Sequence, residues 1–181
     1  FSAFCFPMFI CKIPFKILPP SNGYIGNRLN ITIKKFVYII VSALNNINLQ
    51  VEEKGGKLEV ELGAEKDLIL ANEVHFTNLI NNLLDNAVKY SKENLFIKLT
   101  TKNTGNQLKI IIEDNGIGMN KETLNRIFEK FYRAHTGNVH NVKGFGLGLS
   151  YVKTMVEAHH GTIKAESVLG KGSSFTITIP L

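Results

Sequence analysis

Residues 110–119 read IIIEDNGIGM. Three isoleucines, an acidic pair and a Gly-x-Gly spacing predict a strand that ends on a carboxylate and opens into a turn. The chain has 15 glycines and three aspartates in 181 residues. Asp-x-Gly-x-Gly is therefore expected by chance only about 0.02 times. An aspartate emerging from a strand can accept a hydrogen bond from an exocyclic amine. Gly116 and Gly118 behind Asp114 would let a flat ring approach the backbone closely. The same residues also fit an ordinary strand-ending turn capped by Asp114 and Asn115. The choice depends on the flanking segments.

Downstream, VKGFGLGLS at 142–150 sets glycines at 144, 146 and 148 ahead of an apolar, helix-like stretch. This spacing arises by chance about 0.1 times in such a chain, so alone it fits either a flexible turn or a phosphate cradle of backbone amides. Upstream, NEVHFTNLINNLLDNAVKYS at 72–91 predicts a long helix. Its buried face carries Phe76, Leu79, Ile80, Leu83, Leu84, Ala87 and Val88. Asn82, Asn86 and Lys89 or Tyr90 recur at i, i+4 and i+7 or i+8 and share a neighbouring face. Asparagines 72, 78, 81, 82 and 86 crowd this helix, although asparagine disfavours helix interiors. A solvated, weakly helical face is one explanation. The other is that amide oxygens are hard ligands suited to Mg²⁺.

The rest of the pattern frames these segments. ITIKKFVYIIVSALNNI at 31–47 has apolar residues at helical spacing, and NINLQVEEKGGKLEVEL at 46–62 reads as a hairpin around Gly55-Gly56. NLFIKLTTK and NQLKIIIED are strands flanking the turn 103–106. KETLNRIFEKFYR at 121–133 is a short helix entering an aromatic patch, and LGLSYVKTMVEAHH at 147–160 a helix stopped by Gly161. Two strands, GTIKAES and SSFTITI, close the chain. The arrangement predicts an α+β fold with helices on one face of a mixed, mostly antiparallel sheet.

Bulk properties exclude several classes. The length suits one domain, and 44% hydrophobic with 20% charged residues is ordinary for a globular chain. The net charge of +6 is split evenly: Lys12, Lys16 and Arg28 supply half within residues 1–30, which contain no acid. No basic run marks a nucleic-acid stripe, so we expect no nucleic-acid partner. Both cysteines, Cys5 and Cys11, lie in that segment, and no Cys/His cluster has metal-ligand spacing. FSAFCFPMFICKIPFKILPP is broken by Pro7, Lys12, Pro14 and Lys16, and its charges follow rather than precede the apolar part. That pattern suits neither a spanning helix nor a signal peptide. We read 1–30 as a tail and linker, a membrane remnant being the other reading, and 31–181 as the domain.

Taken in order, Asn82-Leu-Leu-Asp-Asn86-Ala-Val-Lys-Tyr, Asp114-Asn-Gly116-Ile-Gly118-Met, Phe128-Glu-Lys-Phe131-Tyr-Arg and Gly144-Phe-Gly146-Leu-Gly148-Leu resemble the catalytic, ATP-binding domain of bacterial two-component sensor histidine kinases. The resemblance extends to the superfamily shared with gyrase, heat-shock chaperone and mismatch-repair ATPases, and covers about residues 31–181. It implies a two-layer α/β sandwich of the Bergerat type. It further implies Mg-ATP binding, with Asn86 as the Mg²⁺ ligand, Asn82 one turn earlier, and Lys89 and Tyr90 reaching towards phosphates and ribose. Asn82, Asn86 and Lys89 would carry the chemistry. Asp114 would accept the adenine amine, beside Gly116, Gly118 and Met119. Phe128 and Phe131 would hinge a lid over about 132–145. Lys143, Gly144, Phe145, Gly146, Leu147, Gly148 and Leu149 would meet the phosphates at a helix N-terminus, and Gly170 and Gly172 would be the last glycine pair of the pocket.

Two departures refine this. Hydrolysing members of the superfamily carry Glu as general base where this chain has Asn82, and the neighbouring Asp85 is turned about 100° per residue around the helix. The family's phosphoacceptor motif is absent: His75, His135, His140, His159 and His160 all lie in other contexts. The expected partners are therefore a separate phosphoacceptor and dimerisation helical domain of the parent kinase and a downstream response regulator. We expect no direct membrane contact by this domain, and a cytoplasmic location as part of an inner-membrane sensor. An anti-sigma-type serine kinase or an ATPase on the same fold is the alternative. A non-catalytic binding module would not need Asp114 and Asn86.

Overall fold

The computed structural model describes residues 32–133 and 145–181. In chain order the elements are β1 (Thr32–Lys35), α1 (Phe36–Glu53), β2 (Lys57–Leu62), β3 (Leu68–Ala71), α2 (Glu73–Lys89), β4 (Phe96–Thr104), β5 (Gln107–Asp114), α3 (Lys121–Arg126), α4 (Gly148–Ala158), β6 (Thr162–Val168) and β7 (Gly172–Pro180). Five strands form one sheet in the order β2-β4-β5-β7-β6, and β1 pairs with β3 in a separate two-stranded ladder. Only β2 and β4 run parallel, and β4–β5, β5–β7 and β6–β7 are antiparallel. This is the predicted α+β sandwich with a mixed, mostly antiparallel sheet.

Period-two burial fixes which face is covered. Ile97 and Leu99 of β4, Leu108, Ile110 and Ile112 of β5, and Phe175, Ile177 and Ile179 of β7 are buried. The alternate residues Lys98, Lys102, Lys109 and Thr176 face the other way and are not. Against the buried face lie the apolar stripes of α1 (Ile39, Ile40, Ala43, Ile47), α2 (Phe76, Leu79, Ile80, Leu83) and α4 (Val152, Val156). Phe76 sits at the junction. Its ring meets Phe36 edge-on at 6.0 Å between centroids and His159 at 4.6 Å.

Three expectations need correction. Residues 46–53 are not the first strand of a hairpin but the last turns of α1, and β2 pairs in parallel with β4. Ile47, Leu49 and Val51 alternate, yet Ala43, Ile47 and Val51 also fall four apart. Leu49 is 65% exposed while the other three are buried, so the four-residue spacing wins. The helix then stops with Gly55 N donating to Glu52 O and Gly56 N to Val51 O, each at 2.8 Å. Second, Thr32–Lys35 is a strand and not the start of the helix. Helix α1 begins at Phe36 because Asp67 caps it from a distance: Phe36 N reaches Asp67 O at 2.7 Å and Val37 N reaches Asp67 Oδ2 at 3.3 Å. Third, the helix at 121–133 ends at Arg126. Strand β3 had no counterpart in the sequence reading.

Candidate functional site

A cavity of about 730 Å³ is bounded by α2, the end of β5, α3 and the N-terminus of α4. Helix α2 is begun by Asn72, whose side chain accepts from His75 N at 3.2 Å. Its apolar stripe locks it onto the sheet, which turns Asn82, Asp85, Asn86, Lys89 and the C-cap residue Tyr90 towards the cavity. Asn82 Nδ2 donates to Asn78 O at 2.7 Å, which leaves its oxygen to face α4.

At one end stands Asp114, the last residue of β5 and partly buried. Burial pushes its carboxyl up from the ordinary aspartate range, against the pull of the Gly116 and Ser173 amides that donate to it. Gly116 N to Asp114 Oδ1 is 2.8 Å. A side chain at 116 would place its Cβ 2.5 Å from Tyr90 O, so glycine alone allows the loop to pass under α2, where Ile117 N donates to Tyr90 O at 3.0 Å. The β6–β7 turn closes this end. Gly170 N donates to Ile117 O at 2.7 Å and Met119 N to Ser167 Oγ at 2.8 Å.

The opposite end is electropositive. Burial and the charge of Arg133 both push the Lys89 ammonium down, with Asp85 opposing. Burial raises the Asp85 carboxyl, with Lys89 opposing. Tyr90 is also raised by burial, and the Lys89 ammonium lies 5.5 Å from its ring centroid. Helix α4 starts at Gly148, and its N-cap residue Leu147 has no side-chain hydrogen bond to the first amides. Lys89 and Arg133 beside a helix N-terminus form a site suited to a polyanion.

The cavity wall gathers Asn82, Asn86, Lys89, Tyr90, Asp114, Gly118, Met119, Phe145, Gly146, Leu147, Gly148 and Leu149, all anticipated from sequence. Gly116 lies behind the wall. Phe131 is off it, 71% exposed, and Phe128 packs on the core instead. Of the last glycine pair, neither Gly170 nor Gly172 lines the cavity, but their neighbours Leu169 and Ser173 do. Lys143, Gly144, His135, His140 and most of the expected lid lie outside the described residues.

The sequence reading set Asp85 aside as turned away and named Tyr132 and Arg133 only in the lid; it missed Asn120, Thr123, Ser173 and Phe175, and all seven are on the wall. Asp85 was legible: it follows Asn82 by three residues, about 60° around the helix, and so shares its face. The others reach the cavity only through packing of distant elements.

Comparison with known proteins agrees with this architecture. The chain is 51% identical to the sensor protein RprX of Bacteroides fragilis over 145 residues, 79% of this chain and 28% of that protein. It is 32% identical to the sensor histidine kinase WalK of Bacillus subtilis over 163 residues, 88% of this chain and 26% of that one. It therefore spans about a quarter of the length of these relatives. The catalytic domain of histidine kinase ThkA shares the fold, with a TM-score of 0.72 and 23% identity over 83% of this chain and 95% of that one. The profile of the histidine kinase-, DNA gyrase B- and HSP90-like ATPases matches residues 71–181, which hold every described cavity residue, and the chain belongs to that family.

Proposed function

We propose that this chain binds Mg-ATP in the cavity and donates the γ-phosphoryl group to a histidine on a separate, helical dimerisation segment of a two-component sensor kinase. One observation carries the reading: a single cavity has a partly buried, hydrogen-bond-accepting carboxylate at one end and a cationic helix N-terminus at the other, with amide side chains between. The adenine amine donates to Asp114, Tyr90 lies along the ribose, and Lys89, Arg133 and the turn Gly146–Gly148 meet the phosphates, joined by Lys143 and Gly144.

The polar side chains at the middle of the wall, Asn82, Asp85 and Asn86, are oxygen donors without thiol or imidazole, which fits a hard cation. Among the described residues no group of three or more His, Cys, Asp or Glu could hold a metal by itself, so phosphate oxygens and water would complete the shell. Mg²⁺ held by Asn86 would offset charge on the phosphates. Transfer joins an imidazole nitrogen to the γ-phosphorus and breaks its bond to the β–γ bridging oxygen, releasing ADP.

The acceptor comes from outside these residues. Among the described histidines, His75 bonds Tyr151, His159 Nδ1 donates to Met155 O, and none lines the cavity. A response regulator is the onward partner, and the cytoplasm supplies the ATP. No helix among the described residues is long and apolar enough to cross a membrane.

Labelled Mg-ATP mixed with this chain and a dimeric acceptor-helix fragment should give acid-labile phosphohistidine on the fragment. Label on this chain instead, or on neither, would overturn the proposal. ATP hydrolysis with Asp85 as general base would instead give phosphate release without acceptor, abolished by Asp85→Asn, and that outcome would count against phosphoryl transfer.

A further inference from the structure

The two helices that carry the phosphate end are tied together one turn away from it. Tyr151 of α4 donates its hydroxyl to His75 O at 3.3 Å, and His75 Nδ1 lies 3.0 Å from the same hydroxyl. Burial pushes this phenol above its ordinary range, with Asn78 opposing. With its proton given to a carbonyl, the phenol oxygen has a lone pair left to accept from a protonated Nδ1. The hydroxyl thus joins α4 to the first turn of α2.

The ties close a ring that includes the site. Asn78 O receives Asn82 Nδ2 at 2.7 Å. Asn82 Oδ1 faces Gly148 so closely that a Cβ there would lie 2.7 Å away. Gly148 and Tyr151 are one turn apart on α4. A shift of α4 along α2 would therefore change the gap between Asn82 and the glycine turn.

We infer that Tyr151, clasped by His75, is a positioning residue that sets the distance between the cation-binding amides of α2 and the phosphate-binding turn of α4. Neither Tyr151 nor His75 lines the cavity. The inference rests on the nucleotide reading proposed above. Its signature is selective: the base end, built by Asp114 and the β6–β7 turn, has no part in the ring.

The test is calorimetry on the whole chain with two ligands, Mg-AMP-PNP and Mg-free ADP. Tyr151→Phe keeps the ring and removes the clasp. It should weaken Mg-AMP-PNP about 3- to 10-fold, the cost of one or two net hydrogen bonds, and ADP less than about 2-fold. His75→Gln, which keeps a donor, should behave as the unmutated chain, whereas His75→Leu should resemble Tyr151→Phe. His75→Leu supplies the same comparison if Tyr151→Phe does not fold. Equal losses for both ligands, or none for either, would overturn the positioning role. Failure of the unmutated chain to bind either ligand would overturn the nucleotide reading, and the clasp's role with it.

Discussion

The amide of Phe131 donates to the carbonyl of Gly146 at 3.0 Å, which pins the segment after α3 to the turn that opens α4. Gly146 has φ +72°, and a Cβ there would lie 2.8 Å from Phe131 C and Tyr132 O. Gly146→Ala should break this pin, through left-handed strain of about 1–2 kcal/mol plus the collision. Because the pin lies outside the core, we expect triphosphate affinity to fall at least about 10-fold, as from the loss of several cradle contacts, with little change in melting temperature. Normal affinity in a calorimetric titration would show that the pin does not shape the cradle.

Asp114→Asn should remove most ATP affinity. An amide can present a donor to the adenine amine, and an orphaned buried polar group costs about 1–3 kcal/mol, roughly 5- to 150-fold. GTP, with a carbonyl at that position, should bind the unmutated chain poorly. Equal affinities for ATP and GTP would contradict this assignment.

Acidity should reveal the same carboxylate. Burial raises its folded value above the ordinary 3.8, so on acidification Asp114 takes up its proton earlier than a solvated aspartate. ATP affinity should then decline as pH falls through that raised value, when the oxygen is no longer fully available to the amine. The empty domain has the opposite sign. The protonated carboxyl is favoured on folding, so its contribution to stability is complete below 3.8 and is lost as pH rises through the folded value. Titrations and melts across an acid series check both, and an affinity that is flat down to about pH 4 would contradict the first.

Asn86→Ala should leave base recognition in place and weaken only the Mg²⁺-dependent part of binding. Titrations with and without Mg²⁺ separate the two. If both change equally, Asn86 does not hold the cation.

Phe76→Ala should cost about 3–5 kcal/mol, since the ring is fully buried between Phe36 and His159 where α1, α2 and α4 meet. Chemical denaturation measures it. A loss under about 1 kcal/mol would mean that the junction collapses around the gap.

Local chemistry was enough to read much of this protein. Asn82, Asn86 and Lys89 share a face because one helix spaces them, and Asp114 with Gly116 and Gly118 occupies a single strand end. Such relations depend on backbone geometry within a few residues, which the order of residues carries directly. The alternation at Ile47, Leu49 and Val51 shows where this stops: it fits two periods, and only the solvent at Leu49 chose between them. Asp67 capping α1, the parallel pairing of β2 with β4, and the arrival of Arg133 and Ser173 on the cavity wall all join residues far apart in the chain. The sequence by itself determined α2, β4, β5, α4 and the last two strands, and the chemical character of each end of the site. Tertiary packing alone decided which distant side chains complete it, because burial and partners at these positions depend on how the layers close.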